Sequence, residues 1–303
     1  MPPIARILER AHPRCTARAA TPGGIEGRQG LEVGQIDQYA PLGTMADPKI
    51  AVIATLDSKA EAAQFLCGAL RRGGAQPWLV DVSLRPHGAP GADLSGAEVV
   101  AHAQRKWDEL ANLGRGAAAE IMMAGGRRML RARFDAGDIC GAIAIGGANG
   151  ATVACAMMRA LPPTVPKVMI TPVAATAAVT RYVAEADIVM VPSISDIKLN
   201  HVTGAIMENA AFGVAAMARA WLERQARKVD HPPAIGLSTF GGVAQAVDRI
   251  SELLEAKGFE VMHFHASGPG GKALESLAAQ GAFAGVVDLT TSEVTDLLTG
   301  GVY

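Results

Sequence analysis

The run Lys49-Ile50-Ala51-Val52-Ile53 decides the fold class, because it is apolar almost throughout and a helical pattern follows it closely. Apolar residues recur through that pattern up to Leu70, Gly73 ends it, and residues 76–82 have the composition of a second strand. A strand, a helix and a strand in this order form a βαβ unit. Strands that are apolar along their length indicate a parallel sheet covered by helices on both faces. The sequence therefore predicts an α/β fold.

The composition excludes several classes of protein. Half of the 303 residues are apolar, 19% are charged, and 28 Lys and Arg against 29 Asp and Glu give a formal net charge of −1. General nucleic-acid binding needs a basic excess, so it is not expected. Gly, Pro or a charged residue interrupts each apolar run well before the ~20 residues that a membrane span needs, so no membrane segment is expected.

The cysteines predict a reducing compartment. They are Cys15, Cys67, Cys140 and Cys155, and no two of them form a C-x-x-C pair. Isolated thiols of this kind are typical of reduced, buried cysteines in a cytoplasmic protein. A nucleophilic Cys155 is the alternative to a core thiol at that position.

The chain divides into three stretches. Residues 1–46 show no clear helix or strand period, and we expect a disordered or spurious leader there. Residues 47–226 form the first α/β domain, which a charged segment and two prolines separate from the next. Residues 233–303 begin a second α/β domain with only three strand-like runs. We expect this second domain to be truncated, either because a partner supplies the remainder or because the chain is a fragment.

Polar, glycine-rich clusters follow the predicted strands. They occupy residues 55–59, 146–152, 238–242, 267–272 and 290–293. In open parallel sheets, ligands bind outside the carboxyl ends of the strands, where glycine lets the backbone approach a phosphate that helix N-termini attract. The clusters together predict a nucleotide or another phosphorylated ligand, although each one alone is equally typical of a turn.

Neither standard phosphate motif is present in these clusters. Residues 146–150 do not match the G-x-G-x-x-G dinucleotide fingerprint. Residues 268–272 lack the spacing of a P-loop, and Ala273 stands where that motif has Ser or Thr after the lysine. An NAD-binding Rossmann domain and a P-loop ATPase are therefore not expected.

Two pairs of residues in the second domain are candidates for chemistry. His263 and His265 share one face of a strand, but no third ligand accompanies them, so no metal ligands are predicted. His265, at the end of the strand, is the candidate either to contact a ligand phosphate or to act as an acid or base. Asp288 and Glu293 flank a pair of threonines. These carboxylates either orient a Mg²⁺-bound phosphate or cap the following helix.

At these clusters the chain resembles the ATP-binding family named after the tomato mosaic virus resistance protein, which includes uncharacterised bacterial relatives. The stretches that carry the resemblance are residues 55–61, 145–152, 160–162, 165–169, 239–241, 264–271 and 288–293. They follow the family's order from Lys49 to Tyr303. Asn149 stands where the family has a smaller residue. The Ala174-Ala175-Thr176 stretch replaces the family's typical Ala-Ser-Gly, which places a polar contact at that stretch in doubt.

The resemblance implies two tandem Rossmann-like domains, binding of ATP with or without Mg²⁺, and assembly into a homo-oligomer. The binding residues expected from the clusters are Thr55, Asp57, Lys59, Gly146, Gly147, Asn149, Gly150, Thr152, Thr239, Gly241, Ser267, Gly268, Gly270, Gly271, Thr290 and Thr291. His265 and Glu293 are the candidate catalytic residues.

Three functions fit these residues. The first is a cytoplasmic nucleotide-binding protein whose ligand lies at the strand ends and in the cleft between the two domains. The second is an ATP-dependent transferase or ligase-like enzyme that acts on a small organic acid. The third is a nucleotide-gated binding module. Nucleotide consumption that requires an added small molecule would indicate the enzyme.

Overall fold

The computed structural model describes residues 47–85, 91–227, 230–290 and 292–301. The predicted leader over residues 1–46 and the candidate residue Thr291 lie outside these ranges.

A five-stranded parallel sheet forms the first part of the described chain. Its strands are β1 (Lys49–Ala54), β2 (Gln76–Asp81), β3 (Gly141–Ile145), β4 (Lys167–Thr171) and β5 (Val189–Pro192). They lie in the order β2-β1-β3-β4-β5, and Val52 of β1 pairs with Leu79 of β2 on one side and Ile143 of β3 on the other. The predicted α/β class and parallel sheet are confirmed.

Helices cover both faces of this sheet. They are α1 (Leu56–Arg72), α2 (Gly96–Ala101), α3 (Trp107–Ala111), α4 (Arg115–Asp135), α5 (Ala148–Met158), α6 (Val179–Val183) and α7 (His201–Ala226). Alternate residues of β1 supply the two sides of the core: Ala51 and Ile53 belong to the apolar cluster that includes residues of α4 and α5, whereas Ile50 and Val52 belong to the cluster that includes residues of α1 and α7. This two-sided burial explains why the strand sequence is apolar along its length.

A three-stranded parallel sheet forms the second part. It contains β6 (Ala234–Thr239), β7 (Glu260–His265) and β8 (Gly285–Val287), in the order β7-β6-β8. The helices that follow its strands are α8 (Ala244–Glu255), α9 (Pro269–Ala279) and α10 (Ser292–Thr299). Both sheets are thus parallel, as two Rossmann-like units in tandem require.

Two local predictions from the sequence are wrong. The sequence pattern of residues 97–113 predicts one helix, but the structure has two short helices there, α2 and α3, because Gln104 between them has a left-handed φ of 59°. Ser58 followed three residues later by Glu61 predicts a capping box at the start of the first helix, and this box does not form. Helix α1 begins earlier, at Leu56, so Thr55 is its N-cap residue and Ser58 lies inside the first turn.

Within the described residues, none of the helices is both long enough and apolar enough to cross a membrane.

Candidate functional site

The strand order of the first sheet creates a crevice at one place. The chain passes from β1 to β2 on one side and then returns to β3 on the other side of β1. The loops after β1 and β3 therefore leave the sheet in opposite directions, and open parallel sheets bind ligands at such a reversal. The second sheet has the equivalent reversal between β6 and β8.

A cleft of about 300 Å³ lies at the reversal in the first sheet, and we call it the polar cleft. Its lining residues are Thr55, Asp57, Ser58, Lys59, Leu84, Arg85, Arg115, Gly147, Ala148, Asn149 and Gly150. They include members of the two clusters that the sequence analysis placed after β1 and β3. The structure thus brings Thr55, Asp57 and Lys59 together with Gly147, Asn149 and Gly150.

Cationic side chains outnumber carboxylates among the described residues that line the polar cleft. Lys59, Arg85 and Arg115 line it, and the one carboxylate among its described lining residues belongs to Asp57. Lys59 Nζ lies 4.0 Å from Asp196 Oδ1, a long contact to a side chain that is 84% exposed, so this pairing compensates little of the lysine charge. The electrostatics of the cleft therefore favour an anion.

The two adjacent glycines after β3 have different reasons to be glycine. A Cβ atom on Gly146 would lie 2.9 Å from the Cα atom of Gly150, so the packing of the turn requires glycine there. A Cβ atom on Gly147 would meet nothing within 4 Å, and the φ of Gly147 is −69°. Neither packing nor backbone conformation demands glycine at Gly147. Its bare backbone leaves room in the cleft for a ligand to approach closely.

A buried carboxylate holds the loop after β1 in place. Asp81 at the end of β2 is 2% exposed and accepts hydrogen bonds from Leu56 N–H at 3.1 Å and Ser83 Oγ–H at 2.6 Å. Ser83 Oγ in turn accepts a hydrogen bond from Asp57 N–H at 3.0 Å. These bonds fix the first turn of α1 and with it one wall of the polar cleft.

Sequence reasoning missed five residues of this site or its support that lie outside the predicted clusters: Asp81, Ser83, Leu84, Arg85 and Arg115. The sequence did contain a signal for Asp81, since a carboxylate that ends an apolar strand lies among buried groups and needs hydrogen-bond partners. It contained none for Arg115. That arginine is at the start of α4, distant in sequence from every glycine cluster.

Thr152 does not line the polar cleft, although the sequence analysis grouped it with Gly147. It is exposed on α5, and its Oγ donates a hydrogen bond to the carbonyl oxygen of Ala148 at 2.9 Å. This is an internal bond of the helix.

The crevice of the second sheet is closed by internal hydrogen bonds. Ser238 Oγ donates to Asp288 Oδ1 at 2.7 Å and accepts from the N–H groups of Leu289 at 2.8 Å and Thr290 at 3.1 Å. Thr290 Oγ also lies 3.2 Å from this hydroxyl group. The end of β6 is therefore tied to the end of β8 across the reversal, where the first sheet has an open cleft.

A side chain of the protein already occupies the anion position at the start of α9. The carboxylate of Glu293 accepts a hydrogen bond from Gly268 N–H and lies against Gly271, where a Cβ atom would overlap it. Gly270 packs in the same way against the carbonyl oxygen of His265. Gly268 itself has a left-handed φ of 86°. These three glycines are therefore explained by packing and backbone conformation.

The remaining candidates of the second sheet lie at the end of β7 and in the turn after β6. His265 is exposed, and its ring centroid lies 5.4 Å from that of Phe240. Thr239 Oγ donates a long hydrogen bond of 3.4 Å to the carbonyl oxygen of Phe264. Gly241, in the turn after β6, is exposed. The N–H group of Ser267 donates a hydrogen bond to the carbonyl oxygen of His265 at 2.8 Å.

The acid or base role predicted for His265 and the catalytic role predicted for Glu293 stay predictions, and neither residue lines the polar cleft. His263 Nε2 lies 2.9 Å from Ser251 Oγ. No group of three or more metal-ligating His, Cys, Asp or Glu residues occurs in the described part of the chain.

Burial makes the three described cysteines poor nucleophiles. Cys67, Cys140 and Cys155 are free and buried. Burial raises the pKa of each thiol to about 11, so little thiolate forms at neutral pH. A core thiol is therefore the better description of Cys155.

Comparison with known sequences places both parts of the chain in one family. Residues 48–223 match the N-terminal domain of the uncharacterised protein family UPF0261, and residues 232–303 match its C-terminal domain. The chain belongs to the UPF0261 family.

Two bacterial UPF0261 proteins illustrate how far the similarity extends. The protein of Mesorhizobium japonicum is 38% identical over 256 residues, which are 84% of this chain and 62% of that protein. The protein of Rhizobium meliloti is 39% identical over 256 residues, with the same shares of both chains. This UPF0261 chain thus spans less than two thirds of the length of these relatives.

The resemblance to the tomato virus-resistance proteins is confirmed as a relationship over part of the chain. The ToMV resistance protein Tm-1(GCR237) of Solanum lycopersicum is 34% identical over 191 residues, which are 62% of this chain and 25% of that protein. The ATP binding that the resemblance implied stays a prediction for this UPF0261 chain.

Proposed function

We propose that this UPF0261 chain binds a nucleotide, with ATP as the expected ligand, in the polar cleft between the ends of β1 and β3. The observation that carries the proposal is Gly147, which neither packing nor backbone conformation explains, in a cleft lined by Lys59, Arg85 and Arg115. A phosphate group needs close access to backbone N–H groups and nearby cations, and the cleft offers both.

The polar cleft also fits a magnesium ion bound to such phosphates. Mg²⁺ usually keeps several waters and takes one or two protein carboxylates together with phosphate oxygens. Asp57 is in the position to supply a carboxylate there. The carboxylates of the second sheet fit this role less well, because Asp288 accepts from Ser238 and Glu293 accepts from Gly268.

Two glycine variants test the proposal and distinguish the two sheets. Gly147 and Gly241 each follow a strand that borders a reversal, and a Cβ atom on either would meet nothing within 4 Å. ATP at 100 times its Kd should stabilise the wild-type chain by about 2.7 kcal/mol. We expect Gly147→Val to lose this stabilisation in a thermal unfolding assay, because the side chain would fill the approach to the cleft.

The matched variant Gly241→Val should keep the full stabilisation by ATP. If Gly241→Val loses it and Gly147→Val keeps it, the ligand binds at the second sheet and the proposed site is wrong. If ATP with Mg²⁺ does not stabilise the wild-type chain at all, the proposed function itself fails.

The positive charges of the cleft give a second test. Arg115→Gln removes one cation from the cleft, and a hydrogen bond to a charged group contributes roughly 1.5–3 kcal/mol, so the Kd for ATP should rise about 10- to 100-fold. Arg127 is exposed on the same helix and does not line the cleft. Titration calorimetry should therefore find the Kd of Arg127→Gln within twofold of the wild-type value.

An enzyme acting on a small organic acid remains the alternative from the sequence. Its assigned residues, His265 and Glu293, belong to the second sheet and do not line the polar cleft. ATP hydrolysis or transfer that requires an added organic acid, and that His265→Ala abolishes, would support the enzyme. Nucleotide binding without turnover supports the binding function.

A further inference from the structure

A second cavity adjoins the polar cleft, and we call it the side cavity. It has a volume of about 490 Å³ and is lined by Leu84, Arg85, Leu110, Ala111, Leu113, Arg115 and Ala118. Leu84, Arg85 and Arg115 line the polar cleft as well. The two spaces are therefore neighbours that share one wall and both of its arginines.

The two spaces differ in the side chains that they do not share. Apart from the two arginines, each described residue that lines the side cavity is leucine or alanine. Leu110 and Ala118 are buried at its base, whereas Ala111 and Leu113 are exposed at its rim. A space that combines leucine and alanine side chains with two guanidinium groups, beside a cleft lined by cations, suits a ligand with a flat organic group at one end and phosphates at the other.

We propose that the side cavity holds the base of the nucleotide whose phosphates occupy the polar cleft, an inference that rests on the proposed function. The ligand then passes Arg85 and Arg115 on its way from one space to the other. Guanidinium groups suit this position, because they pair with phosphate oxygens and also stack on flat aromatic rings. The ligand class is a nucleoside phosphate, with its base against Leu84, Leu110 and Leu113.

The inference separates a nucleotide from an anion that lacks a base. Inorganic tripolyphosphate carries the phosphate chain of ATP without adenosine, so it can fill only the polar cleft. If the base contributes through the side cavity, ATP binds the wild-type chain at least tenfold more tightly than tripolyphosphate does, since apolar burial of a flat ring adds free energy.

A variant at the rim of the side cavity tests the position of the base. Ala111 is exposed at the end of α3, so Ala111→Trp can place a large ring in the cavity without disturbing the core. We expect this variant to weaken ATP at least tenfold in titration calorimetry and to leave the Kd of tripolyphosphate within twofold. Retained tripolyphosphate binding also shows that the variant is folded.

The neighbouring residue supplies the matched control. Asn112 is exposed and does not line the side cavity, so Asn112→Trp should leave both Kd values unchanged. If Ala111→Trp leaves ATP binding unchanged while Gly147→Val abolishes it, the base lies elsewhere and the inference is wrong, although the proposed function stands. Equal affinities of the wild-type chain for ATP and tripolyphosphate overturn it as well. If the wild-type chain binds neither probe, the proposed function and the inference both fail.

Discussion

The two parallel sheets follow the same alternation of strand and helix, yet the first sheet has more fully buried strands. Every residue of β3 and β4 in the first sheet is buried, and only its edge strand β5 has no buried residue. In the second sheet the central strand β6 contains buried residues, whereas no residue of β7 or β8 is buried. Element order therefore determines topology in both sheets, whereas the stability of each depends on how much apolar area its helices remove from water.

The two crevices differ as well. In the first sheet, Asp81 ties the loop after β1 to the end of β2, which leaves the gap between β1 and β3 open. In the second sheet, Ser238 ties β6 to β8 across the equivalent gap. The same topological position is thus free for a ligand in one sheet and filled by internal hydrogen bonds in the other.

Shortening one strand side chain in each sheet to alanine should show the largest difference between the sheets in the free energy of unfolding. Ile143 in β3 is 0% exposed, whereas Val286 in β8 is 45% exposed. Ile143→Ala should lower the free energy of unfolding by about 2–5 kcal/mol, because it removes buried methylene groups and leaves a cavity. Val286→Ala should cost less than about 1 kcal/mol. Urea denaturation measures both, and similar costs would show that the second sheet is packed as tightly as the first.

Amide hydrogen exchange compares the local stability of the two sheets in the wild-type chain. Local opening needs less free energy where few apolar contacts are buried. We expect the amides of β7 and β8 to exchange at least about 100-fold faster than those of β1 and β3, a difference of roughly 2.7 kcal/mol. Mass spectrometry of peptic fragments resolves the two regions. Equal protection would contradict the comparison.

The sequence predicts the strands well where burial is complete. The apolar run from Lys49 to Ile53 and the run at β3 identify a parallel sheet because strands buried on both faces carry few polar residues. The sequence also indicates which loops carry glycine. It does not show which glycines matter, since Gly146 and Gly147 are identical neighbours in the sequence and differ only in the atoms around them.

The lining of the polar cleft was predictable only in part, for a geometric reason. Thr55 and Gly147 follow strands, and the ends of parallel strands meet at one edge of a sheet. Arg115 reaches the cleft because β3 lies beside β1 and α4 precedes β3, and the sequence does not reveal that strand order. Likewise, Ser238 and Asp288 are distant in sequence, and only the pairing of β6 with β8 brings them together.

A hydroxyl group closes the crevice of the second sheet, and its removal should have an intermediate effect. Ser238 is 2% exposed, so Ser238→Ala leaves Asp288 and the N–H groups of Leu289 and Thr290 without this partner. We expect a loss of about 2 kcal/mol in the free energy of unfolding.

The adjacent residue on the same strand is the control. Thr239 Oγ makes a single long hydrogen bond of 3.4 Å, so Thr239→Ala should cost less than about 0.5 kcal/mol. Thermal or urea unfolding of the two variants measures the difference. Equal losses of unfolding free energy in the two variants would show that the hydrogen bonds of Ser238 between β6 and β8 do not stabilise the fold.

The smallest expected effect is the pH-dependent contribution of one surface carboxylate, on α2 beside the first sheet, to the free energy of unfolding. Ser95 and Glu98 form a capping box at the start of α2, in which the N–H of Ser95 donates to Glu98 Oε2 at 2.8 Å and the hydroxyl of Ser95 donates to it at 2.7 Å. The backbone N–H of Ser95, followed by its hydroxyl, lowers the pKa of Glu98 below the ordinary value of 4.5. The charged form is therefore favoured in the folded chain.

A carboxylate whose pKa is lower in the folded chain stabilises that chain fully above the unfolded pKa, and this stability is lost as the pH falls through the folded pKa. Solvent screens the exposed Glu98, so Glu98→Gln should cost only about 0.5 kcal/mol at pH 7. The difference from wild type should shrink towards zero in acid, because glutamine does not titrate. Urea denaturation at pH 7 and at pH 3 measures this change, with Glu255→Gln on α8 as a variant that removes a carboxylate from the second region. A cost that stays constant with pH would mean that the charge of Glu98 does not stabilise α2.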